Sequence, residues 1–336
     1  MVSNRMTVSI VIPVLNGGED FRRCLDSICQ GDRQPDELIV VNDGSGDGSG
    51  ELARYYGARV VDLPHPHGPA FARNQGASLA QGEVVFFVDA DVTLQPTTLS
   101  QVAAAFETHP EIDALIGSYD DQPGAANFTS QYRNLLHHYT HQVSSPDAAT
   151  FWGACGAVRR SVFLAVGGFD ERYLVPCIED IELGYRLTRA GHRIRLCKSI
   201  QVKHLKRWQL VKMVQTDVRC RALPWTALLL RDRHPMNDLN LKRENRLSVV
   251  CAFLSLLLPL ALWLPALVLP IVALALGGLF VLNRDLYHFL GRHRGGSFTL
   301  RAMAYHWLFY VYSGLAYAFE LGRYLLISPE PHHPPL

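Results

Sequence analysis

The sequence predicts an α/β fold: a mostly parallel sheet with helices on both faces, followed by an interfacial helix and an all-helical apolar region. Three observations predict it. Residues 7 to 118 alternate short β-branched runs with helix-like segments, the order expected where each parallel pairing needs a crossover. The run Glu83-Val84-Val85-Phe86-Phe87-Val88 is apolar after its first residue, as a strand buried on both faces is. Ser248 to Leu282 is almost wholly apolar, too long for one membrane crossing of roughly 20 residues and long enough for two short ones.

The elements follow in order. Thr7 to Pro13 reads as a strand running into a turn at Asn16-Gly17-Gly18, then a helix with Phe21, Leu25 and Ile28 on one face. Leu38 to Val41 is a second strand, ending in the Gly-rich loop Asn42 to Gly50. Arg59 to Val61 is a third and 83 to 88 a fourth, with helices near 49–56, 69–80 and 96–108. Residues 119–148 are polar and hold Tyr132, His137, His138, Tyr139 and His141. A solvated or substrate-facing helix is favoured there over a metal site. Phe151 to Val158 returns to an apolar, small-residue pattern. Glu179 to Ala190 is a helix stopped by Gly191, and Arg193 to Leu196 a short strand.

Residues 201–246 carry eleven Lys/Arg against four Asp/Glu, with Trp208, Val211, Val214, Val218 and Trp225 at helical spacing. Such a basic amphipathic stretch reads as a membrane-surface helix, or as one docked on the protein core. Pro259, Pro265 and Pro270 suit a hairpin within the apolar block, and 302–327 is another apolar span rich in Tyr and Trp. Lys242, Arg243 and Arg246 precede the first block, and Arg284, Arg292, Arg294 and Arg301 follow it. Positive charge marks the cytosolic side, so both flanks are cytosolic only if that block crosses twice. The expectation is therefore a catalytic domain at 1–205, an interfacial segment at 206–246, and a membrane region at 247–328 with spans 248–264, 266–283 and 302–327. A tail follows at 329–336.

Composition sets limits. Of 336 residues, 48% are hydrophobic and 19% charged, apolar for a soluble enzyme; the formal net charge of +1 exerts no global pull on nucleic acid. Seven cysteines without paired spacing argue against a disulfide framework or a structural zinc site. The first residues lack an apolar signal core, which points to a cytoplasmic catalytic domain on a multi-pass protein of the cell (inner) membrane.

The most informative triplet is Asp89-Ala90-Asp91, directly after the fourth strand. Ligands of open α/β sheets sit at the carboxyl ends of strands. Two acids there are hard oxygen ligands suited to Mg2+ or Mn2+ carrying a diphosphate, although such triplets also occur in solvated turns.

Five blocks in order carry a resemblance: Val8-Ser9-Ile10-Val11-Ile12-Pro13-Val14-Leu15-Asn16, Val41-Asn42-Asp43-Gly44-Ser45, Gly68-Pro69-Ala70-Phe71-Ala72-Arg73-Asn74-Gln75-Gly76, Phe87-Val88-Asp89-Ala90-Asp91, and Gly167-Gly168-Phe169-Asp170 with Glu179-Asp180-Ile181-Glu182-Leu183. Across residues 7–205 the chain resembles the family-2 glycosyltransferases with a GT-A fold, and its apolar tail resembles that of membrane-anchored members. The resemblance implies a nucleotide-sugar donor, a UDP-sugar in preference to GDP, and a divalent cation. Asp43 would meet the base from its Gly-rich loop, whereas Asp47 caps a turn; Pro13 and Asn16 would shape the first loop. Arg73 would meet a phosphate or orient Asp89. Asp89 would touch the donor ribose or sugar, and Asp91 the metal. His204, after the strand-like Ile200-Gln201-Val202, is the candidate for a late metal histidine, with a surface histidine as the alternative.

Glu179-Asp180 opens a helix, where acids also suit the dipole. The functional reading makes Asp180 the general base for an acceptor hydroxyl. One base with direct displacement inverts the anomeric centre, whereas retention by double displacement needs a nucleophile as well. Trp152 and Glu179 are candidates for the acceptor side, with a core Trp as the alternative. The Glu-Asp block favours a hydroxyl of a lipid or lipid-linked acceptor over a polyprenyl phosphate. Lys206-Arg207-Trp208 is similar to the end of the processive synthases' Gln-x-x-Arg-Trp motif, but the Gln is absent, so one sugar per binding event is expected. The rivals are a polyprenyl-phosphate glycosyltransferase and a catalytically silent membrane scaffold.

Overall fold

A computed structural model of the protein describes residues 5–232 and 242–326. The expected tail at 329–336, residue 327 of the third span, and Arg233 and Asp238 of the basic segment lie outside the described residues. The chain divides into two compact units between Arg207 and Trp208.

The first unit is built on nine strands: β1 (Val8–Val14), β2 (Glu37–Asn42), β3 (Arg59–Asp62), β4 (Val84–Val88), β5 (Val92–Leu94), β6 (Ala114–Tyr119), β7 (Asp147–Ala148), β8 (Cys155–Arg159) and β9 (Ile194–His204). Its helices are α1 (Gly18–Cys29), α2 (Ser49–Tyr55), α3 (Pro69–Leu79), α4 (Thr98–Thr108), α5 (Phe128–Val143), α6 (Arg160–Ala165) and α7 (Glu179–Arg189). The sheet order is β3-β2-β1-β4-β8-β6-β9-β5, with β7 paired to β9. β3, β2, β1 and β4 run parallel, the half that the alternating sequence pattern announces. β8 runs against both β4 and β6, so the sheet is mixed.

The core lies on both faces of this sheet. Along β4, Val84, Phe86 and Val88 enter one apolar layer and Val85 and Phe87 the other, all fully buried. Each such aromatic contributes about 2–3 kcal/mol by burial. α1 follows the same logic with Phe21, Cys24, Leu25 and Ile28, spaced 3, 4 and 7 apart, turned inward.

Two local readings change in the fold. The short strands expected at 193–196 and 200–202 are one continuous strand, β9, which pairs β6 on both sides of a register shift at Ile116/Ser118. The helix at 128–143 does not present His138 and His141 to solvent: Asn134, His138 and His141, at i, i+4 and i+7, are buried on one face, and His137 is half-buried. Asn134 Nδ2 donates to the Asp120 carbonyl at 2.7 Å, and the ring nitrogens Nδ1 of His138 and His141 bond the Tyr119 and Gly117 carbonyls at 2.6 and 3.0 Å. The irregularity in β6 leaves Gly117 outside the ladder, and a buried carbonyl without a ladder partner needs a side-chain donor.

The second unit holds α8 (Leu210–Asp217), a π-helical turn (Val218–Ala222), α9 (Leu223–Asp232), α10 (Arg243–Ser255), a 3-10 turn (Leu258–Leu262), α11 (Pro265–Leu282), α12 (Arg284–Arg294) and α13 (Gly296–Leu326). Among the described residues, two segments are long and apolar enough to cross a membrane, Arg243–Leu262 and Pro265–Leu282. The 31-residue α13 is not among them, because Tyr305, His306, Tyr310, Tyr312 and Tyr317 lower its hydropathy. A buried polar set joins α10, α11 and α13: Asn283, directly after α11, donates to Ser248 Oγ at 3.0 Å, and the Tyr310 hydroxyl donates to Asn283 Oδ1 at 2.8 Å.

Candidate active site

Strand direction explains why residues far apart in sequence meet. β1, β2 and β4 are parallel, so Asn16, Asp43 and Asp89-Ala90-Asp91 follow their carboxyl ends at one rim. β8 is antiparallel to β4, with Cys155 opposite Val88, so the residues before β8, Trp152 and Gly153, reach the same rim. β6 reverses again, bringing its last residue, Tyr119, to that side. β9 parallels β6 and delivers His204 there.

Asp43 is buried at the end of β2. Its Oδ1 accepts the His67 N–H at 2.8 Å and its Oδ2 the Gly68 N–H at 2.9 Å. It therefore ties the loop before α3 to the sheet, and each oxygen keeps a second lone pair. Gly68 must be glycine: its φ is +97°, and a Cβ would lie 2.3 Å from the Leu174 carbonyl oxygen. Asn16 adopts φ +52°, with its side-chain oxygen accepting the Gly46 N–H at 2.9 Å. Pro13 sits in β1 opposite Val41. Asp47 is occupied in the turn, accepting from the Gly18 and Ser49 N–H groups.

Arg73, on α3, is the buried cation of the site. Nη2 donates to Asp89 Oδ1 at 2.7 Å and Nη1 to Glu179 Oε1 at 2.9 Å. Burial opposes its charge, but the two acids outweigh burial and hold the guanidinium more firmly protonated than usual. Gly153 packs on it so closely that a Cβ would lie 3.0 Å from the guanidinium carbon.

Glu179 and Asp180 start α7. Gly184 one turn on lets the helix touch the strand-leading segment, since a Cβ there would lie 2.2 Å from the Phe151 nitrogen. Glu179 is buried between Arg73 and the Cys177 N–H at 2.8 Å. Asp180 is half-buried; it accepts the Gly153 N–H at 3.1 Å and the Ile181 N–H at 2.8 Å. Burial and the neighbouring Glu179 charge raise it from 3.8 to about 6, against the pull of the Gly153 N–H and Arg73.

Asp91 and His204 lie together, Oδ2 to Nε2 3.7 Å, because Val92 is in register with His204 and the Leu205 N–H bonds the Asp91 carbonyl. Burial works against the Asp91 charge, yet His204 and Lys206 keep its carboxyl below the usual range. The His204 ring stacks on Tyr119, centroids 4.5 Å apart and planes 13° apart. Tyr119 also meets Trp152 edge-on at 4.7 Å and His137 at 4.6 Å. Among the described residues, no three His, Cys, Asp or Glu side chains converge as a ready-made metal cage. A carboxylate oxygen and an imidazole nitrogen are donor types that Mn2+ accepts, with phosphate oxygens and water able to complete the shell.

The fold thus joins Asp89, Arg73, Glu179, Asp180 and Gly153 in one chain of contacts, and Asp91, His204, Tyr119 and Trp152 in another. Tyr119 escaped the sequence reading, and Lys206 entered it only within Lys206-Arg207-Trp208, not as a site residue. Lys206 had a signal, since it stands two residues after a candidate ligand. Tyr119 had none, because its position at the rim depends on two strand reversals.

An α/β unit of this topology, with acids and one buried arginine at the carboxyl rim, has the GT-A fold. The family description "Glycosyl transferase family 2" matches residues 9–167, just under half of the chain. It is 39% identical over 101 residues to the glycosyltransferase YibD of Escherichia coli K12, covering 29% of each chain. It is 30% identical over 214 residues to the pre-mycofactocin glycosyltransferase of Mycobacterium tuberculosis, covering 60% of this chain and 43% of that one. The chain thus spans less than half the length of these curated relatives. Among solved structures, the mannosyltransferase PcManGT of Pyrobaculum calidifontis, in complex with GDP-Man and Mn2+, superposes over 95% of this chain and 88% of its own. The TM-score is 0.62 at 18% identity, a likeness of fold.

Proposed function

We propose that the protein is a membrane-anchored, metal-dependent inverting glycosyltransferase. It moves one sugar from a nucleotide sugar, preferentially a UDP-sugar, to a hydroxyl of a lipid or lipid-linked acceptor. The observation that carries this reading is the Asp180 carboxyl, half-buried at a helix start and raised to about 6, tied to the Asp89–Arg73–Glu179 chain. A carboxylate with that basicity is ionised at neutral pH and is a stronger base than an ordinary aspartate.

In the reaction, Asp180 takes the proton of the acceptor hydroxyl as that oxygen bonds to the anomeric carbon. The bond from that carbon to the diphosphate oxygen breaks, and its electron pair leaves with the nucleotide. Asp43 holds the base side of the donor through its free lone pairs, and Asp89, oriented by Arg73, holds the ribose or sugar. Asp91 and His204 fit Mn2+ or Mg2+, which when bound neutralises diphosphate charge. Trp152 and Glu179 border the acceptor side.

Anchoring is supported by surface chemistry. The two candidate spans bury only 11% and 22% of their windows, and Leu262, Trp263 and Leu274 are 82%, 71% and 77% exposed. Bare apolar surface on that scale needs a lipid or protein cover. In this topology Arg243–Leu262 and Pro265–Leu282 cross twice. The catalytic unit and the arginines of 284–301 then share the cytoplasmic side.

The test is transfer by the full chain in detergent or native membranes. UDP- and GDP-sugars are offered with Mn2+ and a membrane lipid extract, and products are read by mass spectrometry. Sugar on a lipid hydroxyl with inverted anomeric configuration is expected. Sugar on a lipid phosphate, or full transfer by Asp180→Asn, overturns the acceptor and base assignments.

A further inference from the structure

α12 and α13 enclose an open cleft of about 450 Å3 in the second unit. Its walls combine His288 and Arg292 with Gly291, Thr299, Leu300 and Met303. Neither His288 nor Arg292 has a hydrogen-bond or ion-pair partner among the described residues. Spaced four apart, they stand one above the other on α12, on the exposed side of a helix whose Leu286, Tyr287 and Leu290 are buried. The surroundings are basic: Arg284, Arg292, Arg294 and Arg301 face a single acid, Asp285. α12 follows directly on the apolar α11, so the cleft opens where apolar surface gives way to charge.

We propose that this cleft binds the phosphate of an anionic membrane lipid. Arg292 offers the phosphate a planar fork of donors and the His288 ring an N–H. Leu300 and Met303 meet the first methylenes of the chains. The volume suits a headgroup and the start of its tails rather than a whole lipid. A basic cluster at the end of a span is where acidic lipids are attracted. The proposal rests on the membrane reading above but concerns surface apart from the residues assigned to catalysis.

The test uses the full chain in neutral detergent with soluble dioctanoyl phosphatidylglycerol, dioctanoyl phosphatidylcholine and inorganic phosphate as probes, read by native mass spectrometry. Phosphatidylglycerol should bind the wild type, phosphatidylcholine more weakly, and millimolar phosphate should not displace it. Replacing both His288 and Arg292 by Gln should weaken binding roughly five- to tenfold, the scale of one or two interfacial charges. Gly291→Met gives a second reading that keeps every charge. The Cβ there meets only Thr299 Oγ1, at 3.6 Å, so the side chain fits and fills the cleft. It should abolish the tight phosphatidylglycerol adduct while donor hydrolysis is retained. Unchanged binding in both variants overturns the proposal, and displacement by phosphate assigns the site to the free anion instead. Separate sedimentation of the wild type with phosphatidylcholine vesicles tests anchoring itself, so failure of one reading is distinguishable from failure of the other.

Discussion

Replacing Asp180 by Asn separates the cost of the active site from its use. In the folded chain the carboxyl is raised from 3.8 to about 6, first by burial and then by Glu179. Between those values the folded state holds a proton that the unfolded chain has released, so folding stability falls as pH rises through this window. Above pH 6 the charged Asp180 therefore costs up to about 3 kcal/mol, at roughly 1.4 kcal/mol per unit. The penalty is absent below pH 4. Asn removes it but turns an NH2 towards one of the two backbone donors, Gly153 or Ile181, at a cost of about 1–2 kcal/mol. The variant should thus be more stable than the wild type by about 1–2 kcal/mol at pH 8 and less stable by a similar amount at pH 4. Its transfer rate should fall by about 10^2- to 10^4-fold, the range for loss of a general base. Denaturant titration in detergent at the two pH values gives the first quantity, and donor turnover with acceptor present gives the second. A variant less stable than the wild type at pH 8, or one that transfers sugar at the wild-type rate, would refute the reasoning.

Other outcomes follow from the same geometry. The wild-type kcat/KM should climb as pH rises through about 6 and then level, read from a pH profile at fixed Mn2+. Asp91→Asn and His204→Ala should each raise the Mn2+ concentration for half-maximal donor hydrolysis by at least about tenfold, because each removes one of two protein donors. Arg73→Met should destabilise the catalytic unit by about 3–5 kcal/mol in urea titration, because Glu179 and Asp89 lose their shared cation in a buried setting. Gly68→Ala should cost about 3 kcal/mol, combining left-handed strain with a clash on Leu174.

Much of the site was legible because its chemistry sits beside strong local signals. The acids at 43, 89 and 91 each follow an apolar run that only a buried strand explains, and a parallel sheet brings the ends of such strands to one rim. Glu179-Asp180 announces a helix start by charge alone. The histidines of 128–143 misled in detail because imidazole is polar in composition yet can be buried as a carbonyl donor. The irregularity in β6, invisible to periodicity, frees the Gly117 carbonyl that His141 bonds. The π-helical turn at Val218–Ala222 likewise has no sequence mark that we can read.

What the sequence determined by itself is the set of elements, the apolar character of the second unit and the residue types at the rim. These depend on neighbours within a few positions, where periodicity and propensity act. Tertiary structure decided which of those residues share a site. Reversal of β8 carries Trp152 and Gly153 to the rim, a second reversal carries Tyr119, and the closeness that Gly184 allows seats Asp180 against the Gly153 N–H. Strand direction and glycine-permitted contact are long-range facts, because pairing energy depends on the partner strand and not on the residue that is brought into place.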